Sequence, residues 1–171
     1  MKIKIIGSGS SGNCYLIDDG QTQILLECGL PIKKIKAGCD YDFSRVAGCL
    51  ITHEHQDHCC AVRDLLRLGV PVWMTYGTLQ ALELNEWLAI RFEGNPGDYR
   101  TEKIGSYQVL PFKVHHDAAE PVGYLIYSVA TGERLLFVTD SYYIDYRFKG
   151  LTHIMVEANF SAETLADPDN D

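Results

Sequence analysis

The chain has 171 residues, a formal net charge of −8 at pH 7 and a hydrophobic fraction of 46%. This length and this apolar fraction suit a single domain with a core of ordinary size. The acidic balance argues against a broadly basic surface that would hold long duplex nucleic acid by electrostatics alone. No run approaches the roughly 20 apolar residues that span a bilayer, so no membrane segment is expected.

The six cysteines show neither a CxxC pair nor the spacing of a disulfide scaffold. Several of them lie in apolar runs, which predicts reduced, mostly structural thiols. The first ten residues, MKIKIIGSGS, contain only a very short apolar stretch before glycines and serines. They predict a strand and a turn instead of a secretory signal, and we expect a cytoplasmic protein.

Apolar and β-branched runs separated by turn residues predict an α/β domain built from antiparallel strands with helices outside. In chain order, strands are predicted at residues 3–6, 14–18, 23–27, 46–52, 70–74, 107–114, 122–128, 134–139 and 153–157. Helices are predicted at residues 59–68, closed by Gly69, and at residues 76–87, where leucines form an apolar stripe. A loop that borders a cleft is predicted at 92–105, and a short helix with an acidic end at 162–171.

Residues 7–12, GSGSSG, match the pattern GxGxxG after a strand. A dinucleotide site would need a helix directly afterwards, to hold a pyrophosphate at its N-terminus. Residues 13–18 continue instead as a strand. We therefore predict a tight loop that joins two antiparallel strands, in which Ser and Asn side chains satisfy backbone groups.

The run THEHQDH places four metal-capable side chains within six positions, between a predicted buried strand and a predicted helix. They are His53, His55, Asp57 and His58. Extended backbone would point the first two imidazoles to one side, and the turn would bring the other two groups back. Imidazole and carboxylate are ligands of catalytic zinc sites that keep a position for water. The pattern predicts a divalent-metal site, with surface histidines on a loop as the alternative, and the spacing does not fit the HExxH zinc-protease helix.

This HxHxDH motif, together with GSGSSGN, LLECG, HHDAAEPVGY and FVTDS, resembles the metallo-β-lactamase-fold hydrolases over nearly the whole chain. The combination is most similar to the YycJ/WalJ branch, whose members are associated with phosphodiester cleavage in nucleic acid. The resemblance implies an αββα sandwich formed by residues 1–171. The family's final strand and covering helices are expected to be short or missing at the C-terminal end.

The resemblance also implies two divalent ions, zinc first and manganese as the alternative, held by six side chains. The ligands of the first ion would be His53, His55 and His116, and those of the second Asp57, His58 and Asp140, with Asp140 bridging. A hydroxide between the ions would attack phosphorus.

Two further residues have expected roles near these ions. Asp57 would also orient the nucleophile. His115 competes with His116 for the third imidazole, and is otherwise expected to donate to a phosphate or to support a ligand.

Three positions depart from the family pattern. Relatives supply a late histidine to the second ion, whereas the last histidine here is His153, in a predicted buried strand that favours a structural role. Water or a neighbouring chain would then complete the second site, which makes a homo-oligomer one expectation. Glu27 stands where many relatives have aspartate, and 159–160 is Asn-Phe where the branch commonly has Asn-His.

We therefore predict a metal-dependent hydrolase of phosphodiester bonds in a nucleotide or nucleic acid. Two ions would add positive charge at the phosphate, and Lys33, Lys34 and Lys36 either assist or form an ordinary solvated face. One alternative is hydrolysis of a thioester, lactone or lactam by the same hydroxide. The other alternative is a truncated, catalytically weak domain that binds a nucleotide or a partner protein.

Overall fold

Two β-sheets form the framework in the computed structural model, which describes residues 1–157. The first sheet has six strands in chain order: β1 (Lys2–Gly7), β2 (Cys14–Asp18), β3 (Gln23–Leu26), β4 (Val46–Leu50), β5 (Val72–Met74) and β6 (Ala89–Arg91). The pairs β1–β2 and β2–β3 are antiparallel, and the later pairs are parallel. A small ribbon follows, made of β7 (Gly94–Asn95) and β8 (Asp98–Tyr99).

The second sheet has five strands in the order β13-β12-β11-β10-β9. Its members are β9 (Glu102–Ile104), β10 (Tyr107–Lys113), β11 (Val122–Ser128), β12 (Arg134–Val138) and β13 (His153–Val156). Neighbouring strands are antiparallel except β12 and β13, which are parallel.

Four short helices cover the outer face of the first sheet in the described part of the chain. They are α1 (Ile32–Gly38), α2 (Gln56–Cys59), α3 (Val62–Arg67) and α4 (Tyr76–Ala81). Their buried side chains, such as Ile35 and Leu65, lie in one apolar cluster with Leu25 of β3 and with Ile51, which directly follows β4. Burial of this apolar area is the main force that holds the helices in place.

A second core lies between the two sheets. Ile24 and Leu50 of the first sheet meet Val109 and Ile126 of the second, and all four side chains are fully buried. On the far face of the second sheet, Phe112, Val114, Leu136 and Val138 are covered by Ile144, Phe148 and Leu151. Within residues 1–157 that cover is irregular chain and contains no helix. The expected α/β sandwich is confirmed, with one helical layer among these residues.

Every strand predicted from the sequence is present, and those at 14–18 and 122–128 have the predicted bounds, but β6 and α1 were not predicted. The prediction of antiparallel strands is wrong for the pairs from β3 to β6 and for β12–β13, which are parallel. The predicted helix 59–68 corresponds to α3 but begins only at Val62, because the Ala61 N–H donates to the Cys28 carbonyl at 3.0 Å and Ala61 leaves the helical conformation. Cys59 is instead the last residue of the separate helix α2. The predicted helix 76–87 ends at Ala81, and Glu83 takes a positive φ of 51°. The predicted loop at 92–105 is wrong in part, since it contains β7, β8 and β9.

Strand β13 is an edge strand, and the prediction that it is buried is wrong. Ile154 is 65% exposed and Val156 is 48% exposed, because in the described chain β13 pairs only with β12. His153 is half-buried, with Nδ1 2.9 Å from the Thr152 hydroxyl. The helix predicted at 162–171 and the departure at 159–160 lie outside the described residues.

None of the helices found in residues 1–157 has the length and apolar character needed to cross a bilayer.

Candidate metal centre

Three imidazoles meet beyond the ends of β4 and β10. The ligand nitrogens of His53, His55 and His116 lie within 4.8 Å of one another. His55 Nδ1 is 3.1 Å from His116 Nε2. The His53 ring packs edge-on against both, with ring centroids 4.6 Å apart in each pair.

A second group of donors shares His53 with the first. His53, His58 and Asp140 also bring their ligand atoms within 4.8 Å of one another. His58 Nε2 is 2.8 Å from Asp140 Oδ2, and His53 Nε2 is 3.8 Å from the same oxygen. Asp57 lies beside this group, with Oδ2 3.3 Å from His58 Nε2. The structure therefore brings together all six side chains predicted to bind metal.

Strand ends position these groups at one edge of the sandwich. His53 follows β4, His116 follows β10 and Asp140 follows β12. Contacts between the sheets hold the edge together: the Val122 N–H donates to the Thr52 carbonyl at 3.1 Å, and the buried Tyr124 hydroxyl donates to the Ile51 carbonyl.

The segment that carries Asp57 and His58, in α2, is held in place by residues next to strands β2 and β3 of the first sheet. The Asn13 N–H donates to the Asp57 carbonyl at 2.7 Å, and the Cys28 N–H donates to the His58 carbonyl at 2.8 Å. A side-chain Cβ at Gly29 would overlap that same Asp57 carbonyl, so the close approach requires glycine. The predicted GSGSSG loop does join two antiparallel strands, and Asn13 at its end contacts the site.

His53 has the properties of a neutral ligand. Its side chain is 1% exposed, and Nε2 has no hydrogen-bond partner among residues 1–157. Burial first, and then the nearby His58, His116 and His55, lower the pKa of His53 to about 2. Nδ1 lies 2.9 Å from the Thr52 hydroxyl, which fixes the ring orientation and leaves Nε2 to face the other donors. A buried nitrogen without a partner at the centre of two donor groups fits a bound cation.

His58 lies between two acidic environments. Burial would lower its pKa, but Glu27, Asp57 and Asp140 raise the pKa of His58 to about 9. Nε2 faces the carboxylates of the donor group, and Nδ1 faces Glu27 Oε1 at 3.7 Å. Glu27 itself is fully buried, and this burial raises its pKa although His58 and Thr52 oppose the shift. The arrangement is that of a carboxylate behind a metal-binding histidine.

Asp140 is held in an uncommon backbone conformation, with φ 47°. Its N–H donates to Glu157 Oε2 at 3.3 Å, and the neighbouring Thr139 hydroxyl donates to the same oxygen at 2.5 Å. Burial first raises the pKa of Asp140, and Glu157 adds to the rise while His58 opposes it. A bound cation would relieve this crowding of negative charge.

His115 points to a different set of partners from those of His116. Its Nε2 is 2.6 Å from Asp145 Oδ2, and its ring stacks on Tyr143 with centroids 4.1 Å apart. It belongs to neither donor group in the described structure. Both histidines line a cleft of about 550 Å³ that runs beside the donors. The expected contact of His115 with a phosphate stays a prediction.

Four residues that hold the ligands in place are not predicted from the sequence to do so: Glu27, Thr52, Asn13 and Glu157. From the sequence, Glu27 is only a departure from the family pattern, Asn13 is expected only to satisfy backbone groups near the cleft, and Thr52 and Glu157 have no expected contact with the site. All four are polar residues close to strand ends, as His53, His116 and Asp140 are. That position was the one signal by which they could have been found.

These donors suit a divalent metal. Histidine nitrogens and carboxylate oxygens converge in two adjacent groups, and the one buried nitrogen common to both groups has no other partner in residues 1–157. Such mixed nitrogen and oxygen sets are typical of zinc and related ions.

Comparison with known proteins defines the class. The family model described as "Beta-lactamase superfamily domain" matches residues 22–166. The chain belongs to the beta-lactamase superfamily, and the sandwich with its edge site is a metallo-β-lactamase fold. The solved metallo-beta-lactamase fold protein YhfI from Bacillus subtilis aligns with a TM-score of 0.63 at 15% identity, over 81% of this chain and 61% of that chain. At this identity the likeness concerns the fold alone.

Two curated relatives narrow the class further. The chain is 30% identical over 176 residues to "Exodeoxyribonuclease YycJ" of Bacillus anthracis, covering 96% of this chain and 65% of the relative. It is 29% identical over 175 residues to "Exodeoxyribonuclease WalJ" of Streptococcus pneumoniae, covering 96% of this chain and 64% of the relative. The predicted resemblance to this branch is confirmed, and the chain spans less than two thirds of the length of these relatives.

Proposed function

We propose that this protein is a metal-dependent hydrolase that cleaves phosphodiester bonds of a nucleotide or nucleic acid. The observation that carries the proposal is the pair of donor groups joined at the buried His53. Relatives at about 30% identity that are named exodeoxyribonucleases support nucleic acid as the substrate class.

We assign the six donors to two divalent ions, with zinc first and manganese as the alternative. The first ion would be held by His53, His55 and His116, and the second by Asp57, His58 and Asp140, with Asp140 between them. Ions bound there would supply a lowered pKa for water and positive charge at the phosphate.

The chain's own groups would act around those ions. The Asp57 carboxylate is partly exposed and lies 3.3 Å from His58 Nε2, where it can accept a hydrogen bond from the attacking water and orient it. Glu27 and Thr52 would keep His58 and His53 in their binding orientations. The net charge of −8 disfavours a long electrostatic track, so short strands or ends are the expected substrates. Reduced thiols at all six cysteines agree with the cytoplasmic location that we propose.

The test is hydrolysis of bis-p-nitrophenyl phosphate and of a short labelled oligodeoxynucleotide, beside a β-lactam and a thioester, with zinc or manganese added. We expect turnover of the phosphodiesters, its loss with a chelator and its return with metal. The variant Asp57→Asn should lower kcat by about 100-fold or more. Asp64→Asn, an exposed carboxylate of α3 outside the site, is the matched control.

Turnover of the carbonyl substrates alone would overturn the phosphodiester assignment and keep the fold and the metals. Absence of turnover on every substrate, with two ions bound, would overturn the enzyme and leave a binding domain.

A further inference from the structure

The segment that follows Asp140 exposes aromatic side chains at the edge of the metal centre. Tyr142 is 83% exposed and Tyr143 is 57% exposed. Large apolar rings exposed together next to a polar site commonly mark a binding surface. Tyr142, Tyr143 and His115 are named here the aromatic rim.

Contacts with the strand that carries His116 hold the rim in place. The Tyr142 N–H donates to the His115 carbonyl at 3.1 Å. The Ser141 hydroxyl oxygen accepts from the His115 N–H at 3.2 Å, and the same hydroxyl donates to the Tyr143 carbonyl at 2.8 Å. The rings of Tyr143 and His115 stack at 4.1 Å with an interplanar angle of 16°. The backbone of the rim and the Tyr143–His115 stack are therefore organised before any ligand binds, which reduces the entropy cost of binding.

The rim lies within reach of the metal ligands. Tyr142 lines the same cleft as His116, together with Lys113. Tyr142 lies two positions after Asp140, a path of at most about 7 Å along extended chain. A flat group stacked on the rim would thus have its attached phosphate beside the donor groups and beside one lysine.

We propose that the aromatic rim is a stacking site for an unpaired nucleobase whose phosphodiester lies at the metal centre, an inference that rests on the proposed function. Aromatic side chains bind successive bases of single strands through their faces and tolerate any sequence. The cleft side of the rim offers Tyr142 as an open ring face, and the acidic chain disfavours binding through the backbone alone. The substrate class assigned is a single-stranded end of DNA or RNA.

The experiment compares two oligodeoxynucleotides that differ only at the terminal nucleotides, which are thymidines in one and abasic tetrahydrofuran residues in the other. The measured quantity is the ratio of kcat/KM for the two substrates with metal-loaded protein. In wild-type protein the ratio should favour the base-containing strand. Tyr142→Ala should reduce that preference about tenfold, within the range that one base–aromatic stack contributes. Tyr142→Phe, which keeps the ring, should retain it.

Trp87→Ala is the matched control, because Trp87 is 86% exposed and does not line the cleft. It should leave both rates and the ratio unchanged. If Tyr142→Ala leaves the ratio unchanged, including the case in which kcat/KM falls equally for both substrates, the stacking site is overturned while the proposed phosphodiesterase activity stands. No cleavage of either strand by wild-type protein would overturn the proposed function itself, so the two failures are distinguishable.

Discussion

His53 connects the two halves of the candidate centre, and its chemistry explains why a cation fits there. Its Nε2 is buried without a hydrogen-bond partner among the described residues, and the carboxylate of Asp140 is 3.8 Å away. An orphaned polar atom of this kind is costly to a fold unless another species satisfies it. The low pKa of His53 keeps the imidazole neutral, with a lone pair available for coordination.

At the same scale, Glu27 should control metal affinity through His58. Replacing Glu27 by Gln removes the buried charge 3.7 Å from His58 Nδ1 while keeping the side-chain volume. We expect affinity for zinc to fall by about tenfold or more, as for other residues behind a metal ligand. Competition titration against a chromophoric chelator measures this. Glu86→Gln, which breaks an exposed ion pair with Arg63, should bind zinc as the wild-type protein does.

A folded Glu27→Gln protein that binds zinc as tightly as wild-type protein would contradict the role given to Glu27.

The sequence explains why this role of Glu27 is not predicted. The HxHxDH motif indicates its ligands because four metal-capable side chains lie within six positions. Glu27 is distant from that motif in sequence, and only the pairing of β3 with β4 brings it behind His58. Contacts between strands that are far apart in sequence carry no local signal.

At the scale of elements, the close packing of the β3 end against the HxHxDH loop sets the shape of the site. Gly29 touches the Asp57 carbonyl so closely that any Cβ must displace it. Gly29→Ala should therefore lower both the free energy of unfolding and the metal content. The matched control is Gly132→Ala, whose Cβ meets nothing within 4 Å but whose φ is 73°. That variant should cost about 1 kcal/mol of stability and keep its metal.

Urea unfolding and elemental analysis of the two glycine variants check this prediction. Equal metal content in Gly29→Ala and Gly132→Ala would contradict it.

Prediction of the elements themselves was best where apolar alternation fixed a strand, as at 14–18 and 122–128. It was poorest where tertiary hydrogen bonds decide the outcome, as at Ala61, whose N–H donates to the Cys28 carbonyl, so that the helix predicted from residue 59 begins only at Val62.

At the scale of the molecule, Asp19 links the two sheets. It lies in the turn between β2 and β3 of the first sheet. Its carboxylate accepts from the hydroxyls of Ser106 at 2.6 Å and Ser128 at 2.7 Å, and from the N–H groups of Gln21 and Thr22. Burial would raise the pKa of Asp19, but these hydrogen bonds outweigh burial and lower it. Ser106 and Ser128 belong to the second sheet's turns and strands, so the carboxylate links both layers.

Asp19→Asn should reduce the free energy of unfolding by about 2 kcal/mol at pH 7, a typical value for hydrogen bonds to a charged group. Because the folded pKa lies below the unfolded one, this stabilisation is present above the unfolded pKa and is lost as pH falls through the folded pKa. Urea unfolding of both proteins at pH 7 and at acidic pH measures the difference. The control is Asp98→Asn, an exposed position in β8. A difference that is constant with pH, or an equal loss of stability in the control, would contradict the account.

The layered fold could be predicted because the resemblance extends along nearly the whole chain. The arrangement of layers is less accessible, since irregular chain at residues 144, 148 and 151 covers the second sheet through contacts that no local sequence pattern specifies. The edge exposure of β13 likewise depends on which strand lies beside it, and a pattern of apolar residues does not state this. The single-domain organisation over residues 1–171 stays a prediction.

The central claim is that six side chains hold two divalent ions, and metal content per chain tests it most directly. Protein purified without added metal is incubated with zinc, freed of excess and measured by elemental analysis, beside His116→Ala. The account predicts two equivalents in wild-type protein and one in the variant, because His116 belongs to only one donor group. One equivalent or none in folded wild-type protein would contradict the two-ion centre.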